Sequence, residues 1–282
     1  MLIFNRQEDL KNHLKSVSDE NTTIGFVPTM GALHQGHLSL IKNSLAENKI
    51  TVVSIFVNPT QFNNAEDLEK YPRTLEKDTE KIKTVNKDVL IFAPSVEDIY
   101  QGNTVSASFN FDGLENQMEG EHRPGHFDGV GTIVKRLFEI VNPTNAYFGE
   151  KDFQQLQIVR KMVEKHNLPV NVIGCPIFRE ENGLAMSSRN ERLSASEKED
   201  ASLIYKTLKT AKEKFGTNSA KDIIKYVEAI FEKNPEFQLE YFQIADEDEL
   251  LPATAKKEDK KYRAFIAVFI NSIRLIDNIS LN

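Results

Sequence analysis

The sequence predicts an α/β fold, a doubly wound parallel sheet joined to a smaller C-terminal α+β domain, and three observations carry that expectation. Continuous apolar, β-branched runs recur up to residue 175, as in strands covered on both faces. Segments with helical spacing lie between those runs, which is the rhythm of right-handed crossovers in a parallel sheet. Beyond Pro176 the rhythm changes to helices followed by alternating strands.

Ile24 to Val27 and Ile50 to Val57 are the first two runs, and Leu38, Ile41 and Leu45 recur at helical spacing between them. Strand, helix and strand make a βαβ unit with its helix beginning near Leu38. A charged helix from Thr74 to Val85 then leads to a third strand, Val89 to Ala93, stopped by Pro94. Val130, Ile133, Val134, Leu137, Phe138 and Val141 mark one face of a further helix, which Asn142-Pro143 ends. Ala146 to Phe148 predicts a short strand, Leu156, Val159 and Val163 line a helix, and Val170 to Gly174 supplies another strand. This is a Rossmann-like pattern, in which ligands bind at the carboxyl ends of the strands. A boundary at Cys175 and Pro176 divides the chain into domains 1–175 and 176–282. In the second, Ser194 with Glu197 forms a capping box, Asp222 to Glu232 covers another helix, and Phe237 to Ile244 and Tyr262 to Ile270 alternate like strands.

Composition narrows the function. The 282 residues carry 35 Lys and Arg against 42 Asp and Glu, a net charge of −7, with 40% hydrophobic residues. That balance argues against a general nucleic-acid surface, which neutralises phosphates with clustered cations. The one dense basic cluster, Lys256, Lys257, Lys260 and Lys261, reads as a solvated turn. No stretch approaches the roughly 18 apolar residues that cross a bilayer, and residues 1–10 lack the pattern of a secretory signal, so no membrane partner is expected and the expected compartment is the cytoplasm. Cys175 is the only cysteine; it forbids an internal disulfide and reads as a small buried side chain before Pro176.

The strongest chemical signal is the turn Pro28-Thr29-Met30-Gly31-Ala32-Leu33-His34-Gln35-Gly36-His37 between the first strand and its helix. A strand-to-helix turn aims backbone N–H groups and the positive helix end at a ligand. Gly31 and Gly36 allow close backbone approach, and two imidazoles can donate to phosphate oxygens, so the natural guest is a nucleoside triphosphate. Two histidines three apart also suit a surface or half a metal site. The Gly between them at a strand-to-helix junction favours phosphate, and His34-Gln35-Gly36-His37 matches the His-x-Gly-His signature of the nucleotidyltransferase superfamily.

Neighbouring blocks sharpen the resemblance. Gly25 to Gly31, Ser54-Ile55-Phe56-Val57-Asn58-Pro59, Tyr71-Pro72-Arg73, Arg123-Pro124-Gly125-His126-Phe127, Phe148-Gly149-Glu150-Lys151-Asp152 and Ser187-Ser188-Arg189-Asn190 occur in this order. Together they resemble the pantothenate synthetase, or pantoate:β-alanine ligase, family, densely from Thr23 to Asn190 and more thinly to Arg274-Leu275-Ile276-Asp277-Asn278. The resemblance implies condensation of pantoate with β-alanine through pantoyl adenylate, with release of pyrophosphate and AMP, Mg2+ on the ATP, and a homodimer. It implies that Met30, Gly31, Ala32, Leu33, His34, Gln35, Gly36 and His37 line the ATP site, His37 acting as donor to the leaving pyrophosphate and His34 as a second phosphate ligand. Gly149, Glu150, Lys151 and Asp152 extend that site, with Lys151 on phosphate. Phe178 would reach adenine through its backbone, and Met186, Ser187, Ser188 and Arg189 form a loop of the second domain that closes over the phosphates.

For pantoate the resemblance implies Gln61 and Gln155, with Gln61 near β-alanine too; Asn58 and Arg123 are weaker candidates. The metal ligands stay open. Thr60 stands where Leu or Met commonly precedes the glutamine, and Asn63-Asn64-Ala65 replaces a more usual Gly-Pro turn, so altered packing near pantoate is expected. Two other functions remain to be weighed. A related adenylyltransferase would need no amine, and a nucleotide-binding regulator would keep the fold without catalysis.

Overall fold

The computed structural model describes residues 1–62, 65–253 and 255–282. Two compact units make it up, Met1–Glu115 with Glu119–Glu150 and Gln155–Pro176, and Asn116–Met118 with Lys151–Gln154 and Ile177–Asn282. The departure at Asn63-Asn64-Ala65 falls outside the described residues but for the helical backbone of Ala65.

In chain order, the described elements through residue 176 are β1 Ile3–Phe4, α1 Gln7–Val17, β2 Ile24–Thr29, α2 Gln35–Glu47, β3 Ile50–Ile55, α3 Ala65–Lys70, α4 Leu75–Val85, β4 Leu90–Phe92, α5 Val96–Tyr100, α6 Met118–His122, α7 His126–Val141, β5 Asn145–Gly149, α8 Phe153–Lys165 and β6 Asn171–Cys175. Their six strands form one parallel sheet in the order β1-β4-β3-β2-β5-β6. From β2 the chain steps outward to β3 and β4, then returns to β5 on the opposite side of β2. The strand order therefore reverses between β2 and β5, which is where open α/β sheets bind ligands.

Pairing shows how the crevice opens. β2 and β3 keep six pairs in register, from Ile24 with Ile50 to Thr29 with Ile55, whereas β2 and β5 pair only at Gly25 with Asn145 and Phe26 with Ala146. Pro28, two residues further along β2, has no N–H to give a ladder. Below the crevice, Phe26, Val27, Val52, Val53, Ile91, Ala146 and Tyr147 are fully buried. Phe138 of α7 meets Phe26 and Phe148 edge-on, with ring centroids 6.2 and 6.4 Å apart.

The second unit carries α9 Ala195–Asp200, α10 Ser202–Phe215, α11 Ala220–Glu232 and the antiparallel sheet of β7 Phe237–Asp246, β8 Tyr262–Ile270 and β9 Ile273–Ser280. Its core joins Ile204, Leu208 and Ala211 of α10 and Ile223 and Val227 of α11 to Ala264, Ile266 and Val268 of β8. The predicted capping box is present: Glu197 N–H donates to Ser194 Oγ at 3.2 Å and Ser194 N–H to Glu197 Oε2 at 2.7 Å.

Several expectations are corrected. α2 begins at Gln35, not near Leu38, because His34 is extended (φ −135°) and the signature itself forms the first turn. α7 starts at His126 because Gly125, at φ +77°, caps it. The helix opened by Ser194 is short, and α10 follows it directly. β1, α1 and β9 had no sequence-based expectation.

Candidate active site

In the first unit the turn after β2 is held from below by a residue the sequence reasoning missed. Asp78 of α4 is completely buried and accepts hydrogen bonds from Ala32 N–H at 2.9 Å, Leu33 N–H at 2.7 Å and Thr74 Oγ at 3.1 Å. Lys81, one turn on, donates to the Leu33 carbonyl. Gly31 at φ +84° and Ala32 at φ +51° take the left-handed conformations that bend the chain over this carboxylate. A Cβ on Gly31 would stand 3.1 Å from Asp78 Oδ2 and 3.2 Å from Ile55 Cγ2. The amides of Ala32 and Leu33 are thus already engaged, which corrects the expectation that the turn's N–H groups all face the ligand.

Beyond the turn, His34 and His37 occupy the two ends of a capping box on α2, their ring centroids 4.0 Å apart. His34 N–H donates to His37 Nδ1 at 3.3 Å. With Nδ1 accepting, a neutral His37 ring carries its proton on Nε2, where it is a donor. Both imidazoles are half-buried at the positive end of a helix of 13 residues, while Gln35 is exposed and Gly36 half-buried beside them.

Gln61 ends the 3-10 turn Pro59–Gln61 that follows β3. Its Oε1 accepts from Asn58 Nδ2 at 3.1 Å, and its Nε2 lies 2.9 Å from Met30 Sδ, so this glutamine stands directly beside the signature turn. Its backbone carbonyl meets His126 Nδ1 at 3.0 Å and Arg123 Nη2 at 3.4 Å. Asn58 and Arg123 therefore support Gln61. Gly149 ends β5, the strand across the switch point from β2, and Glu150 follows it. Gln155, half-buried, lies in the first turn of α8.

The second unit presents its own set. Lys151 and Asp152 complete a 3-10 turn at 150–152, and Lys151 Nζ lies 3.6 Å from Asp152 Oδ1. Asn278 of β9 fixes the Lys151 carbonyl with a bond of 2.9 Å from Nδ2, and its Oδ1 accepts from Arg263 at 2.7 Å. Beside it, Asp277 grips Arg179 through two bonds of 2.7 and 2.9 Å, and Arg179 stacks on Tyr205, its guanidinium carbon 3.7 Å from the ring centre. Arg179 and Ala185 bridge a hairpin that brings Phe178 and Met186 together, with Met186 N–H on the Phe178 carbonyl at 3.0 Å. The Phe178 side chain is exposed. Ser187 caps the 3-10 turn Ser188–Arg192, and Asn190 underneath donates to Glu180 at 2.7 Å. Arg179, Asp277 and Asn278 were missed as supports, although two polar residues inside the apolar run of β9 are a readable sign of a buried polar task.

Among the described residues no three His, Cys, Asp or Glu side chains group as metal ligands, and no helix is long and apolar enough to cross a membrane. Cys175 is buried and accepts from Asn43 at 3.3 Å, and burial raises its thiol pKa, so it is not poised as a nucleophile.

A family model described as pantoate-beta-alanine ligase matches residues 2–280. The chain is 66% identical over 281 residues, all of both chains, to a protein of Flavobacterium psychrophilum named pantothenate synthetase. It is also similar to the crystal structure of pantoate-beta-alanine ligase from Thermus thermophilus, with a TM-score of 0.91 and 40% identity, covering 100% of this chain and 99% of that one. The crystal structure of the Francisella tularensis pantoate-beta-alanine ligase, complexed with beta-gamma ATP and beta-alanine, gives a TM-score of 0.82 and 35% identity over 100% of this chain and 98% of that chain.

Proposed function

The chain belongs to the pantoate-beta-alanine ligase family, and we propose that it makes pantothenate in two steps through pantoyl adenylate. In the first, a pantoate carboxylate oxygen bonds to the α-phosphorus of Mg-ATP as the bond to the β-phosphate oxygen breaks, and charge builds on the departing pyrophosphate. In the second, the neutral amine of β-alanine attacks the activated carbonyl; AMP leaves and the nitrogen gives up its proton.

The observation that carries this reading is the placement of His34 and His37 in the opening turn of α2 at the carboxyl end of β2, where the strand order reverses. There the helix dipole and the Nε2–H of His37 offset charge as it develops on pyrophosphate, and His34 adds a second phosphate contact. Mg2+ enters on the ATP phosphates as part of the substrate. Lys151, Ser187, Ser188 and Arg189 supply further cationic and hydroxyl partners for phosphate, and Phe178 offers its backbone to adenine. Gln61 and Gln155 hold pantoate by uncharged donors, Gln61 also lying near β-alanine. We assign the protein to the cytoplasm as a homodimer, with no nucleic-acid or membrane partner.

Pantoate-dependent exchange of labelled pyrophosphate into ATP, run without β-alanine, tests the adenylate. Exchange is expected, and it is expected to fall by about 10²- to 10⁴-fold in His37→Ala with the fold intact. Exchange that appears only after β-alanine is added contradicts a free-standing adenylate step, and near-normal exchange in His37→Ala refutes the role of that ring.

A further inference from the structure

Gln61 can bind an anionic acid only if its amide turns NH2, not oxygen, toward the ligand, and the packing around it decides which. The deciding group is the main-chain carbonyl of Gly129, which can only accept. Asn58 Nδ2 donates to it at 3.1 Å and, with its other hydrogen, to Gln61 Oε1 at 3.1 Å. The Asn58 Oδ1 atom must then face the other way, where the Tyr100 hydroxyl donates at 2.6 Å and the Thr60 hydroxyl at 3.2 Å, the two hydroxyls lying 3.0 Å apart. Asn58 and Tyr100 are almost wholly buried, so water is a poor substitute for these donors. The consequence for Gln61 is fixed polarity, with Nε2 on the side of Met30 Sδ.

We propose that Thr60 and Tyr100 are positioning residues, a pair of hydroxyls that act through Asn58 to hold Gln61 as a hydrogen-bond donor for the carboxylate or hydroxyl of the acid substrate. The proposal rests on the reading that Gln61 binds pantoate. Thr60 supplies a hydroxyl where the family commonly has Leu or Met, so this chain carries a lock built from two hydroxyls. Removing a hydroxyl leaves the buried Asn58 oxygen short of donors, which frees Asn58 and then Gln61 to rotate. A rotated Gln61 turns Oε1 on the acid and repels it.

Steady-state kinetics with pantoate and with ATP varied in turn, on Thr60→Val, Thr60→Ser, Tyr100→Phe and Gln61→Ala, separate the possibilities. Thr60→Val and Tyr100→Phe are expected to raise the KM for pantoate by about two- to tenfold with the KM for ATP unchanged. Thr60→Ser, which keeps the hydroxyl, is expected to recover most of the loss seen in Thr60→Val. If Gln61→Ala raises the KM for pantoate while Thr60→Val and Tyr100→Phe do not, the lock is overturned and the pantoate reading stands. If Gln61→Ala leaves pantoate binding unchanged, the reading itself falls. Equal rises in both KM values, with no recovery in Thr60→Ser, identify a general packing defect and overturn the positioning role.

Discussion

Asp78 shows how much of a site rests on a residue that touches no ligand. Its carboxylate gathers two backbone N–H groups and one hydroxyl under the turn, so Asp78→Asn replaces one acceptor oxygen with an NH2 that faces donors. The expected cost is about 1–3 kcal/mol of stability with a fall in kcat/KM for ATP, read from a urea midpoint and from kinetics. Gly129 makes the complementary point about space. A Cβ there would lie 2.4 Å from the Thr60 carbonyl oxygen and 2.8 Å from Gln61 Cα, both backbone atoms. Gly129→Ala is therefore expected to cost about 1–3 kcal/mol and to weaken pantoate binding more than ATP binding. His34, Gly36 and His37 were legible in the sequence because few other tasks need those types at that spacing. Asp78 was not, since in sequence it is one more acid in a charged helix, and its bonds span 45 and 46 residues.

The elements that the sequence left unread share a cause: tertiary contacts make them. β1 is two residues long, Ile3 and Phe4, and exists by pairing with Ile91 and Phe92 of β4. β9 is obscured because Asp277 and Asn278 interrupt its apolar pattern, yet both are buried, holding Arg179, Arg263 and the Lys151 carbonyl. β2, β3 and the helix α2 between them were readable because burial on both sides imposes apolar runs and helical spacing. Asn278→Ala is expected to lower stability by about 1–3 kcal/mol, because it strands buried donors and acceptors, and to raise the KM for ATP through Lys151. An unchanged KM for ATP in a folded Asn278→Ala protein would detach β9 from the function of Lys151.

At the scale of the whole molecule, buried tyrosines set an alkaline limit. Tyr147 is fully buried, donates to Glu47 at 2.7 Å and accepts from Asn48 at 2.7 Å; burial and the Glu47 charge push its hydroxyl far above the usual range. Burial raises Tyr100 as well. A raised folded-state pKa keeps its full contribution below the unfolded value of roughly 10. Above that pH the unfolded chain ionises while the folded one does not, so stability is lost as pH climbs toward the folded values. Urea midpoints are expected to hold up to about pH 9.5 and then to fall, with part of the tyrosinate absorbance appearing only on unfolding. Titration of all the tyrosines together near their ordinary value, with the protein folded, would contradict this.

The two units together bear on one central claim, that this chain joins pantoate to β-alanine at the cost of ATP. The most direct measurement is to incubate the purified protein with Mg-ATP, pantoate and β-alanine and to follow AMP, pyrophosphate and pantothenate while omitting each substrate in turn. The account predicts pantothenate and AMP in equal amounts, and only when all three substrates are present. Stable transfer of AMP with no amine requirement, or ATP binding with no pantothenate under any combination, would contradict it.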